Sequence, residues 1–293
     1  MTPTVGFIIL THNKPHQTIR LVTRLNQMFE HPQIVCHHDF SKSDLPVDDL
    51  PKNVSLVRPH IKTSWGKFSV VEAMLRGLKL MYEKPVSPDW FILLSGADYP
   101  IKPANQILQD LATSPYDVHI KHEQLIYKVK KIGWEETYYE RYCSIGFWFP
   151  FVDRKLRLIK KRIRFQHPSL TKPFLPFSEN LRCFGGEHWF CANRQAAEYL
   201  IEFHSTKPTL ASHYRKLISP EESYYHTIFC NAPHLKVCRN NWRYIDWSTG
   251  DKHPKTLMVK DLPKIHASSA HFARKFDIDA DVRILNEIDA IVG

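Results

Sequence analysis

The chain has 293 residues, of which 43% are hydrophobic and 24% are charged, which is typical of a soluble globular protein with a sizeable buried core. No apolar run reaches the length of about 20 residues that a membrane-spanning helix needs, and no signal peptide is evident. We therefore expect a cytoplasmic protein, or a catalytic domain separated from its anchor. The net charge of +10 suits an anionic partner such as a nucleic acid, a membrane surface or a nucleotide-sugar.

In the first hundred residues, short apolar runs alternate with segments of helical periodicity. Strands are predicted at residues 5–10, 34–37, 54–57 and 90–94, and helices at residues 17–29 and 69–82. This order predicts an α/β fold with a central, mostly parallel sheet flanked by helices. Ligands bind beyond the carboxyl ends of such strands, where this chain has residues 11–13, 38–39 and 97–98.

The remainder of the chain is less regular. Strands are predicted at residues 185–190 and 242–247, helices at residues 194–203 and from Ser219 onward, and a proline-rich loop at residues 168–180. No linker is evident, so we predict a single domain over residues 1–293. The six cysteines show no CxxC pair and no zinc-site spacing, so we expect free thiols.

The stretch from Arg154 to Arg164 contains seven basic residues and no acidic residue. It can be interpreted as an interfacial helix on an anionic membrane or as the solvated face of a helix. A nucleic-acid surface is a third interpretation. No recognised nucleic-acid-binding module accompanies the stretch, so we expect no nucleic-acid partner.

Glu222 follows Ser219 and Pro220 at a predicted helix start. Ser219 and Glu222 match a capping box, and Pro220 suits the first helical position. Glu222 can therefore cap its own helix. It can also act as a general base that accepts the proton of an acceptor hydroxyl, and the two roles do not exclude each other.

Arg274 and Lys275 are adjacent cations between two phenylalanines. The planar guanidinium of an arginine and the ammonium group of a lysine can together hold the diphosphate that leaves a nucleotide-sugar. The alternative is a solvated basic pair, of which a chain this basic has several.

Asp39 and Asp98 each follow a predicted strand and can bind a ligand hydroxyl or stabilise a turn. Residues 37–41 offer one carboxylate where many sugar transferases have an Asp-x-Asp pair for a metal. Because hard cations prefer several oxygen ligands, we expect a site without a metal. Trp65 and Trp189 are candidate apolar walls for a sugar ring, with core packing as the alternative.

Five motifs, in order along nearly the whole chain, resemble the inverting glycosyltransferase family of the core-2/I-branching β-1,6-N-acetylglucosaminyltransferases and the peptide O-xylosyltransferases. They are residues 65–73 (WGKFSVVEA), 94–101 (LSGADYPI), 185–190 (GGEHWF), 220–227 (PEESYYHT) and 272–276 (FARKF). The resemblance implies a glycosyltransferase-A (Rossmann-like) fold, a UDP-sugar donor, inversion at the anomeric carbon and no need for a divalent metal. It also suggests a compact bacterial relative of the animal enzymes.

The resemblance also implies roles for single residues. Glu222 matches the catalytic base, and Arg274 and Lys275 match the pair that grips the diphosphate. Asp39 matches an acid at the uridine end of the donor site, and Leu10 lies at the matching end of the first strand. Trp65 and Trp189 fall in stretches that line the sugar pocket.

One position departs from the xylosyltransferase pattern. Those enzymes have an Asp just before the Trp-Phe pair, where this chain has His188 after Glu187. In the family that position faces the donor sugar, so the resemblance does not imply that xylose is the donor sugar of this chain.

We therefore predict an inverting, metal-independent transferase with Glu222 as the base. The expected donor is UDP-GlcNAc, with UDP-xylose next and UDP-glucuronic acid third. The acceptor is expected to be a surface glycan, which can be lipid-linked at the inner membrane face, with Arg154 to Arg164 touching the membrane. The alternative hypothesis, from another class of function, is a non-catalytic protein with the same fold that binds glycans or nucleic acids.

Overall fold

A computed structural model describes residues 2–128, 133–152, 158–251 and 253–293, without the side chains of residues 148–152 and 158–162. The strands are β1 Val5–Thr11, β2 Gln33–His38, β3 Val54–Leu56, β4 Trp90–Ser95, β5 Asp98–Pro100, β6 Val118–Gln124, β7 Ile145–Val152, β8 Leu158–Phe165, β9 Phe184–Asn193, β10 Val237–Cys238, β11 Arg243–Ile245 and β12 Phe272–Arg274. The helices are α1 Pro15–Met28, α2 Phe68–Tyr82, α3 Ala104–Thr113, α4 Trp134–Cys143, α5 Pro168–Thr171, α6 Arg194–Thr206, α7 Pro208–Tyr214, α8 Tyr224–Cys230, α9 Leu262–Ala267 and α10 Val282–Val292.

The central sheet has seven strands in the order β10-β6-β9-β4-β1-β2-β3. Strand β1 runs parallel to β2 and β4, β2 runs parallel to β3, and β6 runs parallel to β10. Only β9, among these strands, runs antiparallel to its neighbours β4 and β6. The predicted α/β, Rossmann-like fold with a mostly parallel sheet is confirmed.

Both faces of this sheet are buried, because successive side chains of a strand point to opposite faces. Ile8 belongs to one core cluster with Met74 of α2. Its neighbour Ile9 belongs to a second cluster with Leu21 of α1 and Ile284 of α10. The buried apolar runs that predicted the strands are therefore strands covered by helices on both sides.

The predicted elements of the first hundred residues are observed with ends that differ by one or two residues. The strand predicted at residues 242–247 is limited to Arg243–Ile245, and the loop predicted at residues 168–180 contains the short helix α5. All six cysteines are free thiols, as expected. Within the described part of the chain, no helix is long and apolar enough to cross a membrane.

The prediction of a helix in the basic stretch was wrong for the part that the structure describes. Residues 154–157 lie outside the described residues, and from Leu158 the chain forms β8. This strand pairs antiparallel with β7, and Phe147 stands opposite Ile163. The aromatic segment of β7 is rich in residues that favour strands, so cross-strand pairing outweighs the helical pattern of the basic residues.

A small second sheet carries the two candidate cations to the edge of the central sheet. It has the order β11-β12-β5. Strand β5 follows β4 after a short turn, and β12 pairs antiparallel with it, so that Arg274 stands opposite Asp98. The carboxyl end of β4 and the residue pair 274–275 therefore meet at one place.

Gly186 permits a close approach of β9 and β6 beside this place. A Cβ atom at Gly186 would overlap the carbonyl oxygen of Lys121, where the pairing of the two strands is also irregular. We expect Gly186→Ala to lower the free energy of unfolding by about 3 kcal/mol or more, because the strands must separate. Urea denaturation measures this loss.

Gly250→Ala is the control for this substitution, because Gly250 has no heavy atom within 4 Å of its would-be Cβ. It should cost only about 1 kcal/mol, since its φ of +69° lies in the left-handed region. Equal losses in the two variants would contradict the close approach.

Candidate functional site

A cleft of about 570 Å³ opens at the carboxyl ends of β1, β2 and β4. Seven of the predicted site residues line it, namely Leu10, Trp65, His188, Trp189, Glu222, Arg274 and Lys275. Residues from β9, from the 3₁₀ turn Pro220–Glu222 and from the segment after β11 complete the walls. The structure thus brings together residues that are far apart in the sequence. Asp39 and Asp98 are not among the lining residues.

Glu222 does not cap a helix. It ends a 3₁₀ turn whose preceding residue, Ser219, has a left-handed backbone with φ of 52° and makes no side-chain cap. The backbone N–H of Ser219 instead donates to the carbonyl of Gly66, at 2.9 Å. The capping-box interpretation was therefore wrong. In a capping box Glu222 would accept from the backbone N–H of Ser219, and this N–H already donates to Gly66.

The carboxylate of Glu222 is held by a residue that the sequence did not single out. Nη1 of Arg141 in α4 lies 2.7 Å from its Oε2. The Glu222 side chain is 31% exposed, so it still faces the cleft. Burial raises the pKa of the neighbouring Tyr138, and the negative charge of Glu222 raises it further.

Arg274 and Lys275 form the cationic part of the cleft. The guanidinium of Arg274 lies 4.2 Å from the centre of the Trp189 ring, a cation–π contact. Burial lowers the pKa of Arg274, and the charges of Asp98 and Glu187 oppose this shift. Within the described residues, neither cation forms an ion pair, and Nε of Arg274 is buried without a hydrogen-bond partner. A buried donor without a partner is suited to an anionic ligand.

Asp98 lies behind the cleft wall and stabilises the turn after β4. Its Oδ2 accepts hydrogen bonds from the backbone N–H of Ser95, at 2.6 Å, and from the Ser95 hydroxyl. It is fully buried, and its charge favours the protonated forms of Arg243 and Arg274. Asp98 therefore has the turn-stabilising role that the sequence left open beside ligand contact.

Asp39 is also buried and acts through its neighbours. Its Oδ1 accepts two hydrogen bonds from Ser41, and its Oδ2 accepts two from Thr63, each at 2.7 Å. Burial raises the pKa of Asp39, but these hydrogen bonds outweigh it and hold the pKa well below its usual range. Thr63 and Lys42 line the cleft, so Asp39 positions that wall.

No described group of three or more histidine, cysteine, aspartate and glutamate side chains is placed to hold a metal ion. Both oxygens of Asp39, the carboxylate that follows β2, are already engaged by Ser41 and Thr63.

The aromatic and histidine residues differ in their exposure. Trp65 is 73% exposed at the rim of the cleft, whereas one face of Trp189 is covered by Arg274. Burial, with the charges of Arg274 and His226, lowers the pKa of His188 to about 3. His188 is therefore neutral, and its buried Nε2 has no hydrogen-bond partner in the described structure.

Glu221, the residue before Glu222, was not singled out by the sequence analysis. It lines the cleft but is only 8% exposed. Burial and the charge of Glu222 raise its pKa to about 7, against the influence of Arg141. Its position next to Glu222 was a signal that could have found it, whereas Arg141 lies 81 residues away and gave no such signal.

A cleft at the carboxyl edge of a mostly parallel sheet, with two cations and a carboxylate held in place, is an arrangement suited to an anionic ligand and to the movement of a proton beside it. The chain belongs to the Core-2/I-Branching enzyme family, whose model matches residues 5–269.

Relatives within the curated proteins carry the names of sugar transferases. The chain is 27% identical over 244 residues to beta-glucuronosyltransferase GlcAT14A of Arabidopsis thaliana, which covers 81% of this chain and 50% of that protein. It is 24% identical over 311 residues to human xylosyltransferase 1, which covers 97% of this chain and 30% of that protein. The chain thus spans half or less of the length of these relatives, and its family is a family of glycosyltransferases.

The buried carboxyl of Glu221 should make stability depend on pH. Its pKa rises from 4.5 to about 7 on folding, so the folded state disfavours the ionised form. The contribution of Glu221 to the free energy of unfolding is therefore most favourable below about pH 4.5 and becomes less favourable as the pH rises to about 7, by about 3 kcal/mol at most. We expect Glu221→Gln to be more stable than the wild type at pH 8, with a gain that shrinks toward pH 5.

Thermal and urea denaturation between pH 5 and pH 8 measure this gain. Glu202→Gln, at an exposed position of α6, controls for the removal of one negative charge from a basic protein. A gain that is the same at pH 5 and at pH 8 would show that Glu221 does not titrate in this range.

Proposed function

We propose that this protein is an inverting glycosyltransferase that moves a sugar from a UDP-sugar to a hydroxyl of a glycan. The observation that supports it most is the presence, in one cleft, of a carboxylate held by Arg141 and of two cations that form no ion pair with any described residue. The family and the names of its members agree with this activity.

The proposed reaction is a single displacement. The acceptor hydroxyl attacks the anomeric carbon from the face opposite UDP, Glu222 accepts its proton, and the bond from the anomeric carbon to the phosphate oxygen breaks. UDP leaves with the electron pair of that bond, and Arg274 and Lys275 stabilise the negative charge that develops on it. The ion pair with Arg141 keeps the Glu222 carboxylate in position before the proton arrives.

Independence from a divalent metal is part of the proposal. Arg274 and Lys275 supply positive charge at the leaving group, the role that a metal ion has in other transferases. The four hydrogen bonds to Asp39 also occupy the carboxylate that follows β2.

For the donor, we propose UDP-GlcNAc first, UDP-xylose next and UDP-glucuronic acid third. The neutral His188 in the cleft replaces the aspartate expected for a xylose donor. The proposed acceptor is a glycan. If the reaction takes place at the membrane, we propose that this glycan is lipid-linked.

Glu222→Gln should lower the rate of sugar transfer by about 10² to 10⁴, because it removes the general base. UDP release from UDP-GlcNAc in EDTA measures the rate, and calorimetry measures UDP binding, which should change little. The matched control is Glu72→Gln, which removes another glutamate–arginine ion pair of 2.7 Å outside the cleft, with Arg215.

A transferase that turns over only with Mn²⁺ would contradict the metal-free mechanism. Wild-type protein that binds UDP-sugars but never releases UDP would instead favour a binding protein on a transferase scaffold.

We further propose that the protein acts in the cytoplasm, at the inner membrane face, and touches the membrane through the hairpin of β7 and β8. Lys160, Lys161 and Arg162 lie in β8, within the basic stretch from Arg154 to Arg164. Phe147 on this hairpin is 45% exposed, and the adjacent Phe174 is 65% exposed. A hairpin whose sequence is basic and which also carries exposed aromatic rings suits an anionic bilayer surface.

Lys160→Glu/Lys161→Glu should abolish sedimentation with phosphatidylserine vesicles at low salt, since each lysine near an anionic surface contributes about 1 kcal/mol. Lys52→Glu/Lys79→Glu makes the same charge change at exposed positions elsewhere and should leave sedimentation intact. Wild-type protein that ignores these vesicles at low salt would contradict the membrane contact.

A further inference from the structure

The carboxyl of Glu221 is a buried polar group that the proposed mechanism does not use. It lines the cleft with only 8% of its surface exposed. Its Oε2 has no hydrogen-bond partner among the residues that the structure describes. Because buried polar atoms nearly always have partners, a partner supplied by a bound ligand is the simplest account of this oxygen.

The neighbours of Glu221 indicate which part of the ligand it meets. Glu222, the next residue in the chain, is the proposed base and must lie beside the anomeric carbon. His188 lines the same cleft and precedes Trp189, whose ring contacts Arg274 of the proposed diphosphate site. If the proposed function holds, the donor sugar lies between the base and the diphosphate site, so Glu221 and His188, which both line the cleft, are the candidates to contact it.

The segment of the cleft lining at Glu221 and Glu222 contributes two carboxyl groups at successive positions of the chain. Arg141, a cation whose charge acts on Glu221, is paired with Glu222 at 2.7 Å. His188 is neutral, because burial and the charge of Arg274 lower its pKa to about 3. A carboxylate on the sugar would therefore meet the like charge of Glu221 and Glu222, while Arg274 and Lys275 are engaged by the diphosphate in the proposed complex.

We propose that Glu221 contacts the donor sugar and makes the cleft selective for UDP-sugars whose ring carries only uncharged substituents, against UDP-glucuronic acid. This selectivity separates the chain from the beta-glucuronosyltransferases that it resembles at 27% identity. In this proposal Glu221 determines which donor sugar binds, whereas Glu222 accepts the proton of the acceptor hydroxyl.

UDP-glucose and UDP-glucuronic acid test this proposal, because they differ only in a hydroxymethyl group or a carboxylate at C6. Calorimetry at pH 8 in EDTA gives the ratio of their dissociation constants, with UDP alone as the reference. The pH lies above the pKa of Glu221, about 7. We expect the wild type to bind UDP-glucose at least about tenfold more tightly than UDP-glucuronic acid.

Glu221→Gln keeps the shape and removes the charge, so it should reduce this ratio by about tenfold. Binding of UDP alone should stay within about twofold of the wild type, which also shows that the variant is folded. Glu72→Gln, outside the cleft, should leave the ratio unchanged.

Three outcomes would overturn the inference. They are a wild-type preference for UDP-glucuronic acid, a ratio that Glu221→Gln does not change, and a loss of turnover in Glu221→Gln as large as in Glu222→Gln, which would make Glu221 the base. In all three, UDP still binds and the donor site stands. A wild type that binds no UDP would overturn the donor site as well, so the two failures are distinguishable.

Discussion

The half-buried guanidinium of Arg274 is the constraint around which the cleft is arranged. Taking a cation out of water is costly unless other charges or polarisable groups surround it. Here the Trp189 ring lies 4.2 Å away, and the buried carboxyl of Asp98 stands opposite in the paired strand. Nε of the guanidinium still has no hydrogen-bond partner among the described residues. The fold thus supports the charge without neutralising it, which is the state that an anion-binding site requires.

Elsewhere in the cleft lining, two carboxyl groups occupy adjacent positions of the chain, Glu221 and Glu222. Glu222 is paired with Arg141 and is partly exposed, so its negative charge is supported. Glu221 is buried and has no such pair, so burial raises its pKa to about 7. The two adjacent carboxyl groups thus lie in different surroundings, because Glu222 reaches Arg141 of α4 whereas Glu221 is buried.

Much of the fold could be predicted from the sequence because the strands of the central sheet are covered on both faces. A strand that is covered on both faces has a continuous run of apolar residues. The strands at residues 5–10 and 90–94 could be predicted from such runs alone. The basic stretch after Arg154 was misread because its strand, β8, is stabilised by pairing with β7 rather than by its own pattern. Cross-strand contacts of this kind have no local signature.

The candidate site was predictable where it follows a strand and unpredictable where it depends on long-range contacts. His188 and Trp189 stand in β9, most of which was predicted as a strand at residues 185–190. Strand β12, which carries Arg274, was not predicted, and the role of Arg274 came from the family resemblance. The capping box at Ser219 failed because the Gly66 carbonyl, 153 residues earlier in the chain, takes the N–H that a capping glutamate would need. Arg141 could not be found for the same reason, since α4 reaches Glu222 only in the folded chain.

The 3₁₀ geometry of Pro220–Glu222 connects these findings to function. With three residues per turn, successive side chains diverge by about 120°, so Glu221 and Glu222 cannot share one environment. The left-handed Ser219 fixes the direction of this turn, through the Gly66 carbonyl and the hydroxyl of Tyr142, which donates to the Ser219 carbonyl at 2.6 Å. One short turn can therefore present a supported carboxylate to the acceptor and a buried carboxyl to the donor sugar. A regular capped helix at this position would have engaged Glu222 with the backbone N–H of Ser219, whereas the observed turn leaves Glu222 to pair with Arg141.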